Sequence, residues 1–178
     1  MAHIPKIYLL DVTNRDGVQT SRICLSKLQK TMINWYLDQM GVFQSEFGFP
    51  LTRHETNYLN ANLELVKLGG FSKIRLSGWL RATKEDVKTA FKLVPHLKYL
   101  NLSISTSDQM IIHKFKGKLD HQSVIQEMEE AVKEALKFKA ESVGVNAEDA
   151  SRTNIDYLVE FALKAKKAGA ERIRYCDT

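Results

Sequence analysis

Two cysteines, three prolines and nine glycines in 178 residues exclude several kinds of protein. Cys24 and Cys176 make no disulfide framework, so a reducing, cytoplasmic home is the expectation. No run of about 18 uncharged apolar residues occurs, and no membrane span is expected. The start, MAHIPKIYLLDV, has too short an apolar run for a secretory signal and reaches an aspartate at once. There is no Pro/Gly/Ser linker and no low-complexity stretch, which predicts a single domain over residues 1–178. The glycine fingerprints G-x-G-x-x-G and G-x-x-x-x-G-K-[ST] are missing, which argues against an open nucleotide-binding fold. No H-x-H occurs either.

What remains is an ordinary globular composition, 44% hydrophobic and 26% charged, with a formal charge of +5. The lysines lie mostly among glutamates, as in EMEEAVKEALKFK, and mixed signs mark solvated helix faces. No nucleic-acid-binding signature accompanies them, so nucleic acid is not an expected partner.

Alternation dominates the chain. Short strand-like runs recur at KIYLLDV, GVFQSEFGF, SKIRLSGWL, KYLNLSIST, ESVGVNA and RIRYCDT. Between them lie helical periods: Leu28, Met32, Trp35, Tyr36 and Met40; Leu59, Leu63 and Val66; Val87, Ala90, Phe91 and Val94; Ile125, Met128, Val132 and Leu136; Leu158, Phe161 and Ala165. Thr83 with Asp86 and Thr153 with Asp156 have the spacing of helix N-caps, and Gly41, Gly69–Gly70 and Gly169 mark helix ends. Strand–helix alternation implies a parallel sheet with helical crossovers. Polar residues crowd the C-terminal ends of nearly every strand, as in barrel enzymes. The expected fold is therefore α/β, a TIM (β/α)8 barrel. Eight units need about 250 residues, and only six strands are readable, so the barrel is expected to be truncated, an experimental fragment or a truncated gene product.

At DVTNRDGVQ an apolar strand ends in Arg15 and Asp16 beside Gly17. A carboxylate at a barrel mouth can hold a hard cation, and a neighbouring guanidinium can grip a keto or carboxylate oxygen. An Arg–Asp salt bridge beside a turn explains the same residues. The stretch resembles the D-x-T-x-R-[DE]-G-x-Q signature of the metal-dependent Claisen-condensation enzymes, the DRE-TIM metallolyases. Homocitrate, isopropylmalate and Re-type citrate synthases belong there, with aldol-cleaving lyases as cousins. SEFGFP, RLSGWL, SISTSD, NAEDASR and CDT continue the resemblance in order along essentially the whole chain. With RHETNYLN, the pattern looks closest to the Re-citrate and homocitrate synthase branch.

The resemblance implies transfer of an acetyl group from acetyl-CoA to a small 2-keto acid, then hydrolysis of the thioester. It implies a divalent metal, Mg, Mn, Co or Zn. By motif position Asp16 matches the metal ligand, Arg15 the group that stabilises the keto oxygen, and Gln19 an ordering residue at the acceptor's edge. Thr178 matches the threonine that binds the acceptor carboxylate, and Glu148 a pocket glutamate. Asn146, two residues before Glu148, joins the expected substrate-binding set.

Other residues stay open between readings. Glu46 is either a mouth-facing functional group or half of a buried salt bridge. Arg75 and Ser77 alternate with Ile74 and Leu76, and Arg75 either binds an anion or pairs with Glu46. Ser103, Ser105 and Ser107 line one face, for substrate or for packing. His113, Lys114, Lys116 and Lys118 form a basic loop that either meets CoA phosphates or is solvated. His54 is expected to cap a helix, His3, His96 and His121 to lie on the surface, and Cys176 to be an ordinary strand residue.

Two departures from the family pattern carry expectations. The family completes its metal site with H-x-H on a later strand, so this chain alone is expected to bind metal weakly and not to turn over. Gly144 stands where homocitrate synthases place an arginine for the far carboxylate of 2-oxoglutarate, which makes shorter oxaloacetate plausible or else leaves the grip on 2-oxoglutarate to another residue such as Arg75, so the product is citrate or homocitrate. A cut barrel also exposes sheet edges, so homo-oligomerisation or assembly with a complementary chain is expected. The alternatives to acyl transfer are a lyase of the same superfamily and an inactive fragment awaiting that complementary chain.

Overall fold

The computed structural model describes residues 5–178, so His3 lies outside the described residues. Six parallel strands stand in chain order: β1 (Leu10–Asp11), β2 (Gln44–Gly48), β3 (Arg75–Arg81), β4 (Tyr99–Ser105), β5 (Ser142–Glu148) and β6 (Arg172–Tyr175). Helices α1 (Lys27–Gln39), α2 (Arg53–Lys67), α3 (Lys84–Leu93), α5 (His121–Lys137) and α6 (Ile155–Ala168) cross between them, and a short α4 (Asp108–Lys114) precedes α5. A doubly wound sheet would reverse its strand order at a switch point. This order never reverses, as in a barrel.

The sheet is strongly curled. Strands β2 and β6 are four spacings apart, about 19 Å if flat, more than two side chains can span. Yet Arg174 Nη2 on β6 donates to Glu46 Oε1 on β2 at 3.2 Å. Six consecutive units of a (β/α) barrel thus form a half-barrel, open between β1 and β6.

Period-two alternation sends Phe47, Leu76, Leu80, Leu100, Leu102, Val143 and Val145 outward under the helices, where all are buried. The opposite face lines the barrel interior with Gln44, Glu46, Ser77, Asn101, Ser103, Asn146 and the two arginines of β6. The two open margins carry exposed apolar residues: Ile7, Tyr8 and Leu9 just before β1, Ile173 and Tyr175 on β6, and Ile155, Val159 and Leu163 on α6.

Helix α1 reverses the usual amphipathic arrangement. Its periodic apolar set, Leu28, Met32, Trp35, Tyr36 and Met40, is exposed, and its buried stripe is Lys30, Asn34 and Asp38. Ser26 and Gln29 close a capping box at its start. Lys30 Nζ reaches Glu55 Oε1 at 2.6 Å and lies over the Tyr58 ring. Asp38 caps the entry to β3, accepting from the backbone N–H groups of Ser72, Lys73 and Ile74 at 3.1, 2.7 and 2.8 Å. Burial draws its carboxyl upward, but these donors outweigh that and hold it below the ordinary carboxylate value. A depressed folded-state pKa contributes stability at neutral pH that is lost as pH falls through it. Asp38→Asn should lower Tm by about 4–8 °C at pH 7, and the gap should shrink below about pH 4. Melting curves showing the same gap at pH 7 and pH 3 would contradict this.

Several local expectations are corrected. The α6 N-cap is Asn154, whose Oδ1 accepts from Asp156 and Tyr157, because Thr153 is already engaged with Thr106 and Asp149. Thr83 does cap α3 through the Asp86 N–H. His113 and Lys114 belong to α4 rather than a loop. Ser107 lies past β4 and caps α4, so the hydroxyl row on the strand ends at Ser105. His54 lies inside the first turn of α2, whose N-cap, Thr52, makes no side-chain cap bond. His121 pairs with Asp108 at 2.8 Å and stacks edge-on against Tyr157.

Candidate active site

The DVTNRDGVQ stretch folds as a knot of local bonds at the C-terminal end of β1. Asp11 accepts from the backbone and hydroxyl of Thr13 at 3.0 and 2.9 Å. The Val12 carbonyl accepts from the N–H groups of Arg15, Asp16 and Gly17. Asn14, fully buried, donates from Nδ2 to the Lys30 carbonyl and to Asn34 Oδ1, both at 2.8 Å. Asn34 also accepts from Ser45 and donates to Tyr58 and Asn62. This buried cluster fastens the loop to α1, β2 and α2, leaving Arg15 one direction to point.

Arg15 points to Glu46. Its Nε donates to Glu46 Oε2 at 2.7 Å, its Nη2 forms an ion pair with the same oxygen at 2.6 Å, and its Nη1 donates to Asp16 Oδ1 at 2.7 Å. The guanidinium also lies over the Trp79 ring, 4.9 Å from its centre, with Phe49 behind. Glu46 is wholly buried, and its second oxygen accepts from Asn101 at 2.7 Å and Arg174 at 3.2 Å. Ser77 completes the cluster, accepting from Asn101 and donating to the Ser45 carbonyl. One carboxylate therefore fixes two guanidiniums and an amide inside the barrel.

A second group stands further along the same rim. Glu148, at the end of β5, accepts from Ser105 at 2.9 Å and from Lys114 at 2.8 Å. With Trp79, Ser103 and Phe115 these residues line a pocket of about 530 Å³, and Lys116 and Lys118 stand at its edge. The next residue, Asp149, takes a left-handed conformation, accepts from Ser107, and binds Arg152 at 2.7 Å. Arg152 and then Ser107 hold its carboxyl below the ordinary value.

The remaining candidates divide between the ends of the sheet. Asn146 is buried on β5, in register with Ser103 and Arg174. Thr178 follows β6 at the same end as Glu148, since the Cys176 N–H donates to the Ala147 carbonyl and the Cys176 carbonyl accepts from Ala150. Gln19 is exposed at the end of a 3₁₀ turn. Arg75 is elsewhere. It starts β3 at the N-terminal end, and of its two readings the pair with Glu46 does not form, because Glu46 stands one step higher, in register with Ser77. Burial pushes the Cys176 thiol up, away from its nucleophilic form.

Residues that sequence reasoning missed include Asn101, Arg174, Trp79 and Asn14. Asn101 and Arg174 carry a signal in the period-two alternation of NLSIS and RIRY. Gly144 has a spatial reason: a Cβ there would come within 2.7 Å of Asn101 Oδ1 and displace the amide that holds Glu46.

The donor set does not suit a divalent cation. Asp16 is more than half exposed and one oxygen is taken by Arg15. Both Glu46 oxygens are spoken for. Among the described residues no three His, Cys, Asp or Glu side chains converge on one point. A single shared carboxylate offers a hard cation little beyond its own hydration.

The HMGL-like family model matches residues 6–178. The chain belongs to the HMGL-like family. Citrate (Re)-synthase from Dehalococcoides mccartyi is 60% identical to this HMGL-like chain over 97% of its residues and 42% of the relative. The 2-isopropylmalate synthase 2 of Caldanaerobacter subterraneus is 40% identical, over 97% of this chain and 42% of that protein. Homocitrate synthase AksA of Methanocaldococcus jannaschii is 32% identical over 97% and 40%. The HMGL-like chain thus spans less than half the length of these relatives. Among solved structures, an HMG-CoA lyase from Acinetobacter baumannii, in complex with coenzyme A and 3-methylmalate, superposes with a TM-score of 0.71. It covers 96% of this chain and 56% of the lyase at 18% identity, a likeness of fold.

Proposed function

We propose that the Arg15–Glu46 end of the half-barrel is the acceptor-binding part of an acyltransferase that joins the acetyl group of acetyl-CoA to a small 2-keto acid. The observation that carries this reading is the fixing of Arg15 by buried Glu46 beside Asn101 and Trp79, in a chain 60% identical to a citrate (Re)-synthase. In this reading a methyl proton leaves acetyl-CoA, the resulting enolate carbon attacks the keto carbon, and negative charge grows on the former carbonyl oxygen. Arg15, already oriented, donates to that oxygen without reorganising. Glu148 shares the lining of the 530 Å³ pocket with Glu127 and is the one that stands at the C-terminal end of a strand, which makes it the candidate to take the proton. Water then cleaves the thioester and frees the thiol. Gln19, Asn146, Ser77, Ser105 and Thr178 hold the acceptor around this centre, and Asp16 supplies the one carboxylate a divalent metal would share with ligands from outside these 178 residues.

Oxaloacetate is the favoured acceptor over 2-oxoglutarate, since glycine at 144 supplies no cation for a distant carboxylate. Release of free thiol from acetyl-CoA tests the proposal, first with the chain alone and then with it joined to the remaining length of the Dehalococcoides relative. The chain alone should release none. The joined protein should turn over oxaloacetate at least about tenfold faster than 2-oxoglutarate. Equal rates, or turnover by the chain alone, would contradict the reading.

A further inference from the structure

Arg75 is left unabsorbed by this account. Its guanidinium lies against the Phe43 ring at 4.6 Å and the Tyr99 ring at 5.2 Å. Among the described residues its side chain makes no hydrogen bond and no salt bridge. Two aromatic contacts hold it still while its five N–H donors remain available, the condition in which a guanidinium recognises an anion.

Its surroundings point the same way. Arg75 lines a pocket of about 630 Å³ at the N-terminal end of the sheet, away from Glu148 and Thr178. Four lysines, Lys67, Lys73, Lys98 and Lys139, line it as well, against one carboxylate, Glu141, a local balance of five cations to one anion. Lys67 is paired with Glu64, and Lys98 with Glu141. Lys73, Arg75 and Lys139 have no carboxylate partner among the described residues. The wall between them is apolar: Leu63, Phe71, Leu97 and Phe138. A cationic rim over an apolar wall suits a ligand with an anionic head and a flat, weakly polar body. The volume is that of a small-molecule site.

We propose that this pocket binds a phosphorylated small molecule carrying an aromatic ring, of mononucleotide size, with Arg75, Lys73 and Lys139 on the phosphate and the ring on the apolar wall. The site lies at the opposite end of the strands from Arg15 and is independent of the acyl-transfer reading.

Calorimetric titration of the 178-residue chain with AMP, adenosine and inorganic phosphate tests it. AMP should bind, more weakly as salt is added, and at least about tenfold more tightly than adenosine or phosphate alone. Arg75→Gln should weaken AMP at least about tenfold. Should Arg75→Gln fail to fold, the double variant of exposed Lys73→Gln and Lys139→Gln provides the same comparison. Arg15→Gln should leave AMP affinity unchanged. The proposal is overturned if AMP gives no heat up to millimolar concentration, or if phosphate binds as tightly as AMP. It is equally overturned if neither basic-pocket variant matters, or if Arg15→Gln removes the binding.

Discussion

Glu46→Leu should destabilise the chain by about 3–5 kcal/mol, read from urea unfolding at neutral pH. The carboxylate is wholly buried and accepts from Arg15, Asn101 and Arg174. Leucine fills similar volume but takes away the shorter of the Asn101 amide's two acceptors and the shared acceptor of both guanidiniums, leaving Asn101 only Ser77 and Arg15 only exposed Asp16, and an underpaired buried charge costs far more than a surface pair gains. Glu46→Gln keeps the shape, returns one acceptor oxygen and should recover part of the loss. A Glu46→Leu variant as stable as the parent would mean that the guanidiniums find water instead, and the cluster would not be the anchor of the site.

Asn34→Leu should cost about 3–4 kcal/mol and disorder the loop that carries Arg15. Asn34 is the hub of the polar contacts beneath that loop, accepting from Asn14 and Ser45 and donating to Tyr58 and Asn62. A leucine leaves four polar groups short of a partner in a buried interface. Trp79 reports the second half of this prediction, because Arg15 lies over its ring. With Trp35→Phe as background, Asn34→Leu should change Trp79 fluorescence as Arg15→Gln does. Loss of stability with unchanged Trp79 emission would show that the loop holds its place without Asn34.

Much of the architecture was readable because each strand alternates with period two and each helix with period 3.6, and because glycines stand where left-handed turns are needed, as at Gly41, Gly69 and Gly169. The facing of α1 was not. Periodicity shows that a helix has two faces, and which one is buried depends on whether partners exist for Lys30, Asn34 and Asp38, residues supplied from β2, α2 and the entry to β3. The site divides the same way. Arg15, Asp16 and Glu148 stand in recognisable local motifs. Arg174, 128 residues from Glu46 along the chain, reaches it only because the sheet curls. Arg75 could be read two ways because sequence gives the alternation of a strand but not the height at which its neighbour pairs. Ser107 and Asn154 were displaced by one element or one residue because local hydroxyl and carboxylate bonds, rather than spacing, decide which group caps a helix.

In the proposed reaction Arg15 acts on the oxygen of the keto acid. Steady-state turnover of Arg15→Gln in the joined protein, with oxaloacetate saturating, measures that directly. The account predicts a fall of about a hundredfold or more in kcat, with AMP binding at the distant pocket intact. A change in kcat of less than about threefold would contradict it.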